Sequence, residues 1–159
     1  MNDDEKYMSV CLDSAESALK KGEMPFGCVI VKNGNVVVTA ENEVARTEDV
    51  TQHAEIVAMR EAQRLFGNDL SFCTIYCSYE PCAMCALMIR ELRFGKVVFG
   101  QKSPIEGGYT KFKILQDEEL HRETPNHFGP VPEVMGGVLA DQAEKLWELR
   151  SELSKGIER

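Results

Sequence analysis

The sequence predicts an α/β domain of three layers, with helices on both sides of a mixed, five-stranded sheet. Three observations carry this expectation. Apolar periodicity gives the order helix, hairpin, helix, strand, helix, strand, strand, helix. The strands after the hairpin alternate with helices, which favours parallel pairing there, whereas the hairpin itself is antiparallel. The 159 residues suit one domain with a single core, and no repeat, low-complexity tract or linker divides 1–159.

The first helix is expected over residues 4–21, where Tyr7, Val10, Cys11, Ser14, Ala15, Ala18 and Leu19 recur at helical spacing and Gly22 follows as a stop signal. Phe26-Gly27-Cys28-Val29-Ile30-Val31 is a β-branched run, Asn33-Gly34 a tight hairpin turn, and residues 36–39 the return strand. Residues 52–66 form the second helix, ending at Gly67, with a packing face of Ile56, Met59, Ala62, Gln63 and Phe66. A strand over 73–79, a helix over 81–92 and a strand over 96–100 follow. Pro81 is placed in the first helical turn, where its missing N–H costs nothing.

Residues 102–132 are polar and rich in glycine and proline, with one short helix expected at 112–120. A long irregular segment in a compact domain is often a wall or lid, and this one is assigned as a variable, pocket-closing segment. A last strand is expected at 134–139 and a closing helix at 140–153, patterned by Ala143, Leu146, Trp147 and Leu149.

Composition narrows the functional class. With 43% hydrophobic and 28% charged residues the chain reads as an ordinary globular protein. No apolar run approaches a membrane span, and the start Met1-Asn2-Asp3-Asp4-Glu5 is acidic, unlike a signal peptide. A cytoplasmic location is expected. There, Cys11, Cys28, Cys73 and Cys77, all in apolar stretches, are expected to be reduced and buried. A net charge of −8 favours a small-molecule substrate over a polynucleotide, the strongest basic group being Lys111 and Lys113 with Lys102 nearby.

The chemistry is concentrated in His53-Ala54-Glu55 and Pro81-Cys82-Ala83-Met84-Cys85. One imidazole and two thiolates suit a tetrahedral zinc ion whose fourth position is left for water. Cys82 and Cys85, three apart at a helix start, present both sulfurs on one face. His53 opens the preceding helix, so two positive helix ends converge where thiolates are needed. Zinc lowers the pKa of a water it binds to roughly 7, and Glu55, within one turn of His53, is placed to move protons. Each motif alone has a plainer meaning: Cys82 and Cys85 also suit a redox pair, and His53 a cap. In combination, H-x-E followed by P-C-x-x-C is the signature of zinc nucleobase deaminases.

On these residues the chain resembles the cytidine deaminase-like superfamily, and within it the guanine, cytosine and tRNA adenosine deaminases. Pro25-Phe26-Gly27 with Val29-Ile30-Val31 is similar to guanine deaminases; Val97-Val98-Phe99-Gly100 and Gly137-Val138-Leu139-Ala140-Asp141 are similar to tRNA adenosine deaminases. The resemblance implies one zinc ion per chain on His53, Cys82 and Cys85, and Glu55 as catalytic proton shuttle. It also implies a base or sugar contact from Asn42, an acceptor on the base meeting the Ala54 N–H, and a homodimer. Phe26 would line the ring pocket. Gln52 departs from the alanine common before the ligand histidine, and residues 102–132 depart most. No role is assigned to Tyr109, His121, His127 or Phe128.

The expected activity is hydrolytic deamination of a free nucleobase or nucleoside, with a purine such as guanine favoured and a cytosine-type base next. The alternative is adenosine-to-inosine deamination in tRNA. A noncatalytic zinc-stabilised subunit and a thiol–disulfide oxidoreductase are more distant; the presence of Glu55 opposes the first, and stoichiometric zinc would oppose the second.

Overall fold

The computed structural model describes residues 1–157. Its elements are α1 (Asp3–Lys20), β1 (Gly27–Lys32), β2 (Asn35–Glu41), α2 (Val44–Thr47), α3 (Ala54–Phe66), β3 (Cys73–Tyr79), α4 (Ala83–Glu91), β4 (Lys96–Gln101), α5 (Glu118–Glu123), β5 (Glu133–Met135) and α6 (Ala140–Ile157), with a 3-10 turn at Ile114–Gln116. The five strands lie in the order β2-β1-β3-β4-β5. β1 pairs antiparallel with both β2 and β3, and β3, β4 and β5 run parallel, so the sheet is mixed as expected.

Strand alternation builds two cores. Cys28, Ile30, Ile75, Cys77, Val97 and Phe99 face α3 and α4, joining Ala54, Met59, Cys85 and Ile89. Val29, Val31, Tyr76 and Val98 point the other way, against Met8, Cys11 and Leu12 of α1 and Ala143 of α6. Both faces are covered, which is why these strands are nearly continuous apolar runs rather than alternating ones. The hairpin turn forms at Asn33 (φ 51°) and Gly34 (φ 74°), both left-handed as a two-residue hairpin of this twist requires. Cys11, Cys28, Cys73 and Cys77 are buried free thiols.

Several local expectations are corrected. Gln63 is exposed and bonds Asn68; the buried face of α3 is Ala54, Glu55, Ala58, Met59 and Ala62, with Ile56 beside it. Pro81 stands outside α4, because Cys82 is the extended N-cap (φ −70°, ψ 175°) and pairs across to Gly107. The last strand stops at Met135 because Gly137 and Leu139 turn the chain at positive φ; Gly137 and Val138 still donate to Gly100 and Phe99. The short helix expected at 112–120 is divided into the 3-10 turn and α5 by Asp117, which caps α5 by accepting from Glu119 N–H. Helix α2 was not anticipated; four residues carry no periodic signal. Among the described residues no helix is long and apolar enough to cross a membrane.

Candidate metal centre and active site

The site lies where β3 ends and α4 begins, with α3 arriving alongside. His53 is the N-cap of α3 and Cys82 the N-cap of α4; Cys85 sits within the first turn of α4. The two helix starts therefore present unpaired N–H groups and partial positive charge to one point. There, Cys82 Sγ is 3.6 Å and Cys85 Sγ 3.7 Å from His53 Nδ1, and the sulfurs are 3.7 Å apart. A tetrahedral zinc ion with ordinary bond lengths spaces its donors about 3.8 Å sulfur to sulfur and about 3.6 Å nitrogen to sulfur. The triangle fits that ion without rearrangement, and it is the metal-capable group of His, Cys and carboxylate side chains found among the described residues.

The charges around this triangle are uneven. Hydrogen bonding with Cys85, then with His53, pulls the Cys82 thiol down to about 4. The same bond with Cys82, together with burial, pushes Cys85 up. Cys85 Sγ also lies 3.4 Å from Glu55 Oε2. A divalent cation bound by the three donors would hold both sulfurs as thiolates. The bond with Cys82 raises the His53 imidazole. Glu55 is 6% exposed, and desolvation lifts its carboxyl to about 7. A carboxyl poised near neutrality both accepts and returns protons under ordinary conditions.

Phe26, His53, Glu55, Tyr79 and Cys82 line a cavity of about 60 Å3, together with Glu80, Ser103 and Glu106. Two clefts flanking β2 are larger, about 440 and 460 Å3, but neither holds a metal-donor set, so chemistry and not size selects the site. Phe26 packs edge-on against Tyr79, at 5.2 Å between ring centroids, and stacks with Trp147 of α6 at 6.2 Å and 15°.

Asn42 and Ala54 are buried and are not walls of this cavity. Asn42 Nδ2 donates to Glu23 Oε2 at 3.1 Å. Ala54 opens α3, so its N–H has no partner within the helix. His121 Nδ1 lies 2.8 Å from the Phe128 carbonyl, and His127 is 3.0 Å from Glu91. Both histidines are tied locally, away from the donor triangle. Tyr109 packs on Phe99.

Two carboxylates escaped the sequence reading. Glu23 accepts from the N–H groups of Ala45 and Arg46 as well as from Asn42, fixing the start of α2 and the asparagine together. Glu80, 4% exposed, accepts from the N–H groups of Ser103, Tyr109 and Thr110 and from the Thr110 hydroxyl. It ties the segment after β4 to the metal motif. The signal for Glu80 was its place, a carboxylate between an apolar strand and Pro81; buried there, it had to find donors.

The model of the cytidine and deoxycytidylate deaminase zinc-binding region matches residues 1–101. The chain belongs to this family. It is accordingly a zinc-dependent hydrolytic deaminase. The deaminase is 36% identical to the tRNA-specific adenosine deaminase of Bacillus subtilis over 143 residues, 88% of each chain. A solved tRNA:A34 deaminase, studied for A-to-I editing at the wobble position of transfer RNA, is 28% identical with a TM-score of 0.78, covering 89% of this chain and 98% of that one. The guanine deaminase of Bacillus subtilis is 35% identical with a TM-score of 0.61, but covers 64% of this chain and 66% of that one.

These matches correct the expectation of a free nucleobase or nucleoside as substrate and partner, with guanine favoured. The tRNA-named relatives keep 28–36% identity over nearly the whole chain, whereas a guanine deaminase of Nitrosomonas europaea that covers 92% of this chain is 21% identical and the one at 35% covers about two thirds. A net charge of −8 sums the whole chain, whereas a polyanion meets only a local surface.

Proposed function

We propose that this deaminase converts adenosine to inosine in transfer RNA. The observation that carries the reading is the 36% identity across 88% of the chain to a tRNA-specific adenosine deaminase. The roles follow from position. His53, Cys82 and Cys85 hold the zinc ion; when bound, it supplies the Lewis acidity that makes water a nucleophile near neutral pH. Glu55 takes a proton from the attacking water and passes it to the ring nitrogen beside the attacked carbon. The same carboxyl then delivers the second proton to the departing amine. A C–O bond forms, the C–N bond breaks, and ammonia leaves as the ring amidine becomes an amide. The Ala54 N–H is offered to a ring acceptor. With its Nδ2 engaged by Glu23, Asn42 offers Oδ1 to the base or sugar. Phe26 gives the ring an apolar wall.

Residues 102–132 close the pocket in this reading, a role supported by Ser103 and Glu106 in the cavity wall. The whole of 1–159 acts as one deaminase domain, in the cytoplasm with its substrate. A homodimer is supported by Met84 and Leu87, which are 38% and 40% exposed on α4 beside the metal motif; light scattering of Leu87→Glu should show a halved mass.

The deciding assay incubates the zinc-loaded protein with an unmodified tRNA transcript and, separately, with guanine, cytosine, adenosine and cytidine. Inosine in the digested tRNA supports the reading. Ammonia from a free base with no inosine in tRNA overturns it.

A further inference from the structure

Lys111, Phe112 and Lys113 are all exposed, and Phe112 is 53% exposed despite being aromatic. Slack in the chain does not account for this. The N–H groups of Lys111 and Phe112 both donate to the Gly107 carbonyl, at 3.0 and 2.9 Å. On the far side Leu115 is fully buried, and the Arg90 guanidinium holds the carbonyls of Ile114 and Asp117 at 2.7 and 2.8 Å. On the near side Thr110 is held by Glu80. The three residues form a knuckle clamped at both ends, one turn from Gly107, which itself pairs with the metal-motif residue Cys82.

The lysines of this knuckle make no ion pair among the described residues. Lys102 makes none there either, whereas Lys6, Lys20, Lys21 and Lys96 sit in ion pairs. A cleft of about 350 Å3 beside the knuckle is lined by Phe112, Lys113, Gln116, Asp117 and Glu118.

We infer that this knuckle is a docking surface for single-stranded RNA next to the reacting nucleotide. A neighbouring base stacks on Phe112, and its phosphates meet Lys111 and Lys113, with Lys102 following. An exposed aromatic between cations is what an unpaired, sequence-tolerant strand requires; a duplex would keep its base faces hidden. The inference rests on the tRNA reading and deepens it.

The test uses the zinc-loaded full chain, a tRNA transcript, and three variants: Phe112→Ala, the double Lys111→Ala/Lys113→Ala, and Lys20→Ala as a distant control. Thermal melts establish that each is folded. Phe112→Ala should raise KM about 5- to 150-fold, the value of one stacked base, and the effect should fall on KM rather than kcat. Phe112→Trp should restore affinity. The double variant should flatten the slope of log K against log salt by roughly 1.4, about 0.7 for each lost contact. Unchanged KM and salt slope in an otherwise active enzyme overturn this inference and leave the tRNA reading standing. A changed oligomeric mass with RNA affinity intact overturns it also, assigning Phe112 to a second copy of the chain. If the wild-type protein neither binds nor deaminates tRNA, both fall.

Discussion

Glu55 is buried, lifted toward neutrality by desolvation, and within 3.4 Å of a metal-donor sulfur. Its amide counterpart keeps the shape and loses the proton relay. Glu55→Gln is therefore expected to retain one zinc ion per chain, measured by elemental analysis, while kcat falls by about 10²–10⁴-fold. Near-normal turnover would remove Glu55 from the mechanism. Cys82→Ala deletes a donor instead, so metal content and activity should be lost together. These residues were legible in the sequence because metal chemistry restricts residue type and spacing so tightly. Glu23 and Glu80 were not, since a structural carboxylate is defined by the N–H groups it meets, and those come from residues distant in the chain.

At the scale of elements, the segment after β4 depends on Glu80 and on the absence of a side chain at Gly107. A Cβ on Gly107 would lie 1.7 Å from Glu80 Oε2, so Gly107→Ala must displace the carboxylate. Glu80→Ala leaves the buried donors it served unpaired, costing about 1–3 kcal/mol for each one left without water. Both substitutions should loosen the 103–110 segment, seen as faster amide exchange at Tyr109 and Thr110, with zinc still bound. Protection at wild-type levels would show that the segment stands without Glu80. The helices and strands that build the layers were readable from periodicity and from Asn33-Gly34. The fine boundaries were not. Cys82 starts α4 late because it pairs with Gly107, and β5 ends early where Gly137 turns the chain; neither contact leaves a periodic trace.

For the whole molecule, metal binding and folding are linked, because the donor triangle joins α3 to the start of α4. Zinc at about 100 times its dissociation constant should add about 2.7 kcal/mol of stability. For a domain of this size that corresponds to roughly 5–10 °C in Tm. Chelation should lower the melting temperature by this amount and zinc should restore it; an unchanged Tm would mean that the triangle is held by the protein alone. Whole-molecule charge, by contrast, was the least informative property of the sequence, since a net −8 sums the whole chain while a polyanion meets only a local surface.

Trp147 is the only tryptophan in the chain. Its ring stacks on Phe26, lies 5.8 Å from Tyr79, and carries the Arg150 guanidinium 5.5 Å above it. Phe26 and Tyr79 are cavity walls. Light absorbed at the red edge of the protein spectrum is therefore re-emitted from one indole stacked on a cavity wall. If the base enters against Phe26 as proposed, that emission should change on binding, and the unlabelled enzyme would report its own occupancy. Rapid mixing would resolve arrival of the nucleotide from the bond-breaking that follows.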